Sequence, residues 1–289
     1  MSTTMDGERA FICISHSPFM TLPGREQAGP RYLAAVEETK RFIDAFSPDA
    51  VVVFAPDHMN LLNEVRPPFT GILSGSTVPE FGIPEMTLDV SPLAPPLFES
   101  LVGLDVDLAV GEDVAIDHGL GLTLLQLFDV PARTPLVPII VNAIGFPLFP
   151  VARARAVGEK VGKALEDHEG RILFIGTGGL SHSPPFPDPA PGAKRFDPEE
   201  RKAHLAHALE YLDPDWDQML LERMEKGDAD CFGSLSQAEI DIRGGGANEV
   251  RTWAAAWAAC GSPAPRFTDY ELVEPWITGM GVAFGVAPD

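Results

Sequence analysis

Residues 10–58 read AFICISHSPFMTLPGREQAGPRYLAAVEETKRFIDAFSPDAVVVFAPDH, two short apolar runs with an amphipathic one between them. The runs Ala10 to Ser15 and Ala50 to Ala55 are rich in β-branched and aromatic residues and do not alternate with polar ones, the pattern of strands buried on both faces. Between them, Leu33, Val36, Phe42, Ile43 and Phe46 fall on or near one face at helical spacing, and Pro30 suits the first turn of that helix. A crossover of this length implies that the two strands lie parallel. Working outward, Asp107 to Val110, Leu136 to Val141 and Arg171 to Gly176 repeat the strand pattern, with a helix from about Val151 to Asp167 feeding the last. The expected class is α/β.

The character changes after the Pro-rich stretch from Pro184 to Pro198, which forbids a regular helix or a central strand. Helical patterns then dominate: Arg201 to Tyr211, Trp216 to Lys226, and Asn248 to Cys260. No internal repeat is visible. One domain spanning residues 1–289 is expected, with these later helices packed on the sheet.

Composition narrows the function. Of 289 residues, 45% are hydrophobic and 22% charged, which suits a folded globular chain. The net charge of −21 repels phosphate backbones and anionic lipid surfaces, so neither nucleic acid nor membrane is an expected partner. The most apolar stretch, Leu136 to Ala152, is broken by Pro138, Asn142, Gly145, Pro147 and Pro150 and fails as a spanning helix. The N-terminus lacks a basic region followed by an apolar run, and the three cysteines show no paired spacing, so a reducing cytoplasm is the expected setting.

The histidines carry the functional reading. His16, His58 and His182 each lie one to six residues beyond a predicted buried strand, in loops reading SHSP, PDHMN and GGLSHSP. In a parallel sheet such residues converge on one edge, where ligands bind. His118, in IDHG between a strand candidate and the apolar segment Leu120 to Phe128, can join them. A metal or acid–base site follows. His168 reads as a solvated helix cap, and His204 and His207 as the polar edge of an amphipathic helix; all three are set aside. Glu249 is the best anionic ligand candidate, because it opens a helix after Gly244-Gly245-Gly246, where the backbone can turn sharply or approach closely. Asp57 and Asp117, each preceding a histidine, suit orientation of the neighbouring loop better than ligation.

Gly176-Thr177-Gly178-Gly179 does not run into a helix and is not a phosphate loop, and no nucleophile elbow or activated cysteine is present. Two His and one carboxylate form the ligand set of non-haem Fe(II) oxygenases, leaving three octahedral positions for a bidentate catechol and O₂. The same set serves zinc hydrolases.

The blocks Ser15-His16-Ser17-Pro18, Phe54-Ala55-Pro56-Asp57-His58, Ile116-Asp117-His118-Gly119, Gly178-Gly179-Leu180-Ser181-His182 and Asn248-Glu249-Val250-Arg251-Thr252-Trp253 resemble, in order, those of the class III extradiol ring-cleavage dioxygenases. The likeness spans nearly the whole chain. It implies a three-layer α/β/α sandwich around a mixed sheet, Fe(II) held by His16, His58 and Glu249, and a homo-oligomer. It further implies that His182 is the base at a catechol hydroxyl, with His118 its partner in proton transfer, and that the substrates are O₂ and a catecholic acid of the dihydroxyphenylpropionate kind. Two features depart from the family pattern: Gly-Ala-Asn precedes Glu249 where relatives often carry a His, and the region from Asp188 to Glu200 is short. The alternatives are a zinc hydrolase and a catalytically silent metal-binding relative on the same fold.

Overall fold

The computed structural model describes residues 8–185 and 198–288, so most of the Pro-rich stretch lies outside the described residues. The strands are β1 (Arg9–Ile14), β2 (Ala50–Pro56), β3 (Phe69–Ile72), β4 (Gly75–Thr77), β5 (Leu108–Gly111), β6 (Val114–Ile116), β7 (Leu136–Val141), β8 (Ile172–Thr177), β9 (Phe267–Val273) and β10 (Thr278–Val286). The helices are α1 (Pro30–Phe46), α2 (Ala94–Gly103), α3 (His118–Leu127), α4 (Val151–Ala164), α5 (Pro198–His207), α6 (Pro214–Glu225), α7 (Gln237–Asp241) and α8 (Val250–Ala259).

Eight strands form one sheet in the order β5-β3-β7-β2-β8-β1-β10-β9, and β4 pairs with β6 beside it. The central four, β7, β2, β8 and β1, are parallel. On either flank the direction reverses, where β3 meets β7 and where β10 meets β1. The sheet is mixed around a parallel centre.

Period-two alternation in the central strands feeds two cores. Phe11, Cys13, Val52 and Phe54 point to the side covered by α2, α4, α6 and α8. Ala10, Ile12, Ile14, Val51 and Val53 point to the side covered by α1 and α3. The result is three layers, α/β/α. The helix between β1 and β2 begins at Pro30, as its sequence implies.

The C-terminal segment corrects the expectation that helices dominate the second half: β9 and β10 add an antiparallel hairpin to the sheet. Glycines had hidden β10. They are needed there because other side chains cross the strand, as at Gly279, where a Cβ would lie 2.0 Å from the Asp217 carboxylate. Among the described residues no helix is long and apolar enough to cross a membrane.

Candidate active site

The parallel centre aims its loops at one edge. His16 and His58 each follow a strand end by two residues, and His182 follows β8 by five. His118 opens α3, whose cap is Asp117. The rings of His16 and His58 are 5.7 Å apart, those of His16 and His118 6.1 Å, and His58 stacks on His118 at 4.0 Å. Ligating atoms of His16, His58 and His118 lie within 4.8 Å of one another, a buried triad suited to a metal. Glu249 ends a 3-10 turn that runs directly into α8. Its Oε1 is 3.1 Å from His58 Nε2 and 3.8 Å from His182 Nε2, while Oε2 accepts the Gly179 N–H at 2.7 Å. All the candidate histidines and the carboxylate therefore meet at one buried place, with His58 in contact with both His118 and Glu249.

Hydrogen bonds behind the rings set which nitrogen faces inward. The Thr123 hydroxyl donates to Gly119 O at 3.2 Å and accepts from Thr177 Oγ1, leaving Thr177 to accept from His16 Nδ1 at 2.9 Å. His58 Nδ1 faces Asp117 Oδ2 at 3.2 Å, and His118 Nδ1 faces Glu80 Oε1 at 2.9 Å. His182 Nδ1 donates to Leu180 O at 3.1 Å. With Nδ1 committed in every ring, the Nε2 lone pairs are left for the shared space. Asp117 also takes the backbone N–H groups of His58 and Gly119. Asp57 accepts from the N–H groups of Asn60, Leu61 and Leu62. Both aspartates fasten the loops that carry the histidines.

The charges follow from burial and neighbours. Burial lowers His16 to about 3, and lowers His182 as well, so both rings are neutral near pH 7. Burial would raise Glu249, but His182, His58 and His16 outweigh it and hold the carboxyl at about 2. Burial would lower His58, yet Asp117 and Glu249 overcome it and raise that imidazole well above its ordinary value. Near pH 7, with His16 and His182 neutral, the positive group that faces Glu249 is the His58 imidazole. A positive charge belongs between His58 and Glu249, and a proton or a metal ion can supply it. The donor set fits a divalent cation: inward lone pairs on imidazoles, one fully buried anionic carboxylate, and partners that fix each ring.

The cavity measures about 450 Å³ and is lined by His16, His58, His118 and His182 together with apolar side chains such as Phe19 and Phe81. Phe81 has φ 46°, rare for a bulky residue, and its ring meets His118 edge-on at 5.0 Å. The triple glycine has a local cause. Gly246 lies under the His182 ring, where a Cβ would come within 2.2 Å of it.

Sequence reasoning missed Glu80, one carboxylate among 42 acidic residues, in a Pro- and Gly-flanked turn that no periodicity marks. It also missed the role of Thr177. His204 and His207 do not meet at a metal: His204 Nε2 lies 2.9 Å from Ser183 O, and His207 Nδ1 lies 2.7 Å from Glu210 Oε1.

Residues 10–285 match the family described as the catalytic LigB subunit of aromatic ring-opening dioxygenase. The chain belongs to that family, and it is an oxidoreductase of the dioxygenase class with a metal-binding cluster. Among its relatives, the 2,3-dihydroxyphenylpropionate/2,3-dihydroxicinnamic acid 1,2-dioxygenase of Mycolicibacterium paratuberculosis is 36% identical, over 92% of this chain and 94% of that one. The enzyme of the same name from a Rhodococcus species is 33% identical over 97% and 99%. A Dechloromonas aromatica enzyme of that name, numbered 1, is 33% identical over 93% and 96%.

Proposed function

We propose that the chain uses Fe(II) and O₂ to cleave a catecholic acid of the 2,3-dihydroxyphenylpropionate kind beside its diol, with His16, His58 and Glu249 holding the metal. The observation that carries this reading is the fully buried Glu249 carboxylate against His58 Nε2, with further imidazoles facing the same cavity. Three neutral imidazoles would leave a buried divalent charge uncompensated, and Glu249 supplies the anion that the triad alone lacks. Iron bound there supplies the redox chemistry that lets O₂ react with an electron-rich ring.

The remaining residues handle protons. His182 is neutral, and its Nδ1–H is spent on Leu180 O, so Nε2 is free to take a catechol hydroxyl proton. His118 presents Nε2 to the same cavity, while Glu80 behind Nδ1 offers a counter-charge when the ring carries a proton. Burial would raise Glu80, but its bonds to His118 outweigh that and hold it ionised. Phe19, Phe81 and Leu22 surround the ring with apolar surface and limit water. Both atoms of O₂ enter the product, one ring C–C bond breaks, and the proton taken at His182 is returned.

The test is an anaerobic preparation analysed for iron, followed by oxygen uptake with a panel of catechols. We expect one O₂ consumed per catechol and a yellow ring-opened acid. Zinc in place of iron with no oxygen uptake would overturn the reading in favour of a hydrolase, and a metal-bound protein inert to every catechol would favour a silent relative.

A further inference from the structure

An acid side chain on the catechol needs a cation, and a chain with net charge −21 offers few. Arg243 and Arg251 lie closest to Glu249 in sequence, but both are committed elsewhere. Arg251 is buried, with its guanidinium bonded to Phe149 O, Asn248 and Gln237. Arg243 pairs with Asp213, bonds Glu239 O and stacks over Trp216.

Arg201 differs. It lies on α5 and lines the cavity that holds the four histidines, and it is the one Arg or Lys among the described lining residues. Glu80, the carboxylate that shares the lining, is spent on His118. Arg201 is exposed and makes no ion pair among the described residues. Its direction follows from the helix. Leu205 is four residues on and lines the same cavity, so the two share one face. His204 fastens α5 to the catalytic loop through Ser183 O at 2.9 Å and Ser183 Oγ at 3.1 Å, next in sequence to His182. The cavity thus has a buried end with imidazoles for the diol and an exposed end with a guanidinium that none of the described carboxylates pairs.

We propose that Arg201 is the specificity residue for the substrate side chain, pairing with the carboxylate of a catecholic acid while the buried histidines hold the diol. This rests on the function proposed above. A guanidinium pairs with a carboxylate through two parallel hydrogen bonds, which an uncharged alkyl tail cannot return.

The experiment compares 3-(2,3-dihydroxyphenyl)propionate with 3-propylcatechol in the iron-loaded protein and its Arg201→Gln and Arg201→Lys variants. Gln keeps helix propensity on an exposed face, so folding is preserved. We expect Arg201→Gln to lower kcat/KM for the acid about tenfold, through KM, with kcat and the propylcatechol value unchanged, and Arg201→Lys to recover part of the loss. Added salt should raise KM for the acid in the unaltered protein and much less in Arg201→Gln. Equal losses on both catechols, or none on either, would overturn the assignment. Calorimetric titration with 3-(2-hydroxyphenyl)propionate and 2-propylphenol decides independently of turnover. If neither catechol is cleaved, the function fails, yet acid affinity that drops in Arg201→Gln still supports the arginine and unchanged acid affinity overturns it.

Discussion

The His182 ring and Gly246 are in contact so close that a single methyl group on the glycine would lie 2.2 Å from the imidazole. The backbone of Gly246 also donates to His182 O at 3.1 Å, so the triple-glycine loop holds the residue from two directions. Gly246→Ala therefore has to displace the ring or the loop. We expect iron content within a factor of two of the unaltered protein and a loss of about a hundredfold in ring-cleavage rate, since a misplacement near 1 Å is enough for that. Metal analysis beside steady-state kinetics checks it, and near-normal turnover would show that the loop yields freely.

Ligand identity separates by charge. Glu249→Ala removes the buried anion, and iron content after gel filtration should fall by more than tenfold. His118→Ala should leave iron largely bound, because His16, His58 and the carboxylate all remain. Retention of iron by Glu249→Ala together with loss in His118→Ala would instead make the His16, His58 and His118 triad the metal site.

Glu80→Gln tests the group that no sequence pattern marks. The amide oxygen can still accept from the backbone N–H and Nδ1 of His118, but the negative charge is gone. We expect bound iron to be unchanged and kcat to fall about ten- to a hundredfold, the usual cost of removing a partner that orients and polarises a histidine. Kinetics with metal analysis would expose a purely structural role as loss of both together.

Asp217 carries a stability signature. It is buried, accepts the Ser181 N–H at 2.8 Å, and holds the Ser181 and Tyr270 hydroxyls at 2.7 and 2.8 Å. Burial pushes its carboxyl up to about 7, with Asp213 adding to the rise. A folded-state value above the unfolded one gives stability that is full below about pH 4 and lost as pH climbs towards 7. The unaltered protein should thus lose on the order of 3 kcal/mol between pH 4 and pH 8 relative to Asp217→Asn. Urea midpoints of both proteins at the two values check this, and parallel pH dependences would refute it.

How much the sequence discloses depends on whether one local pattern carries the information. β1, β2, β7 and β8 are buried on both faces and read as plain apolar runs, so the parallel centre and its edge were legible, and the histidines just past those strands with it. β10 was not, because glycines replace side chains wherever neighbours cross it. Glu80 and Arg201 reach the cavity from a turn and from an outlying helix, and their importance arises only from tertiary placement. Arg251, conspicuous two residues after Glu249 in sequence, points away because residues two apart on a helix do not share a face.

The proton chemistry gives the last prediction. His182 must be neutral to accept a catechol proton, and burial lowers its pKa, so the acidic limb of kcat/KM should fall below the ordinary histidine value of about 6.5. His182→Gln removes the base while Gly179 and Gly246 still leave space for a planar side chain, and His118→Gln removes the acid while Glu80 can still bind the backbone N–H at that position. Each variant should retain iron and lose at least about a hundredfold in rate. The acidic limb should disappear in His182→Gln and persist in His118→Gln, a distinction that a merely structural role would not produce. Stopped-flow oxygen consumption across pH 5–10, with iron measured in the same samples, reads both effects. An unchanged acidic limb in His182→Gln, or near-normal turnover in both variants, would show that the protons travel by another route, through water or Asp117, and would remove the reason for separating these two histidines from the metal ligands.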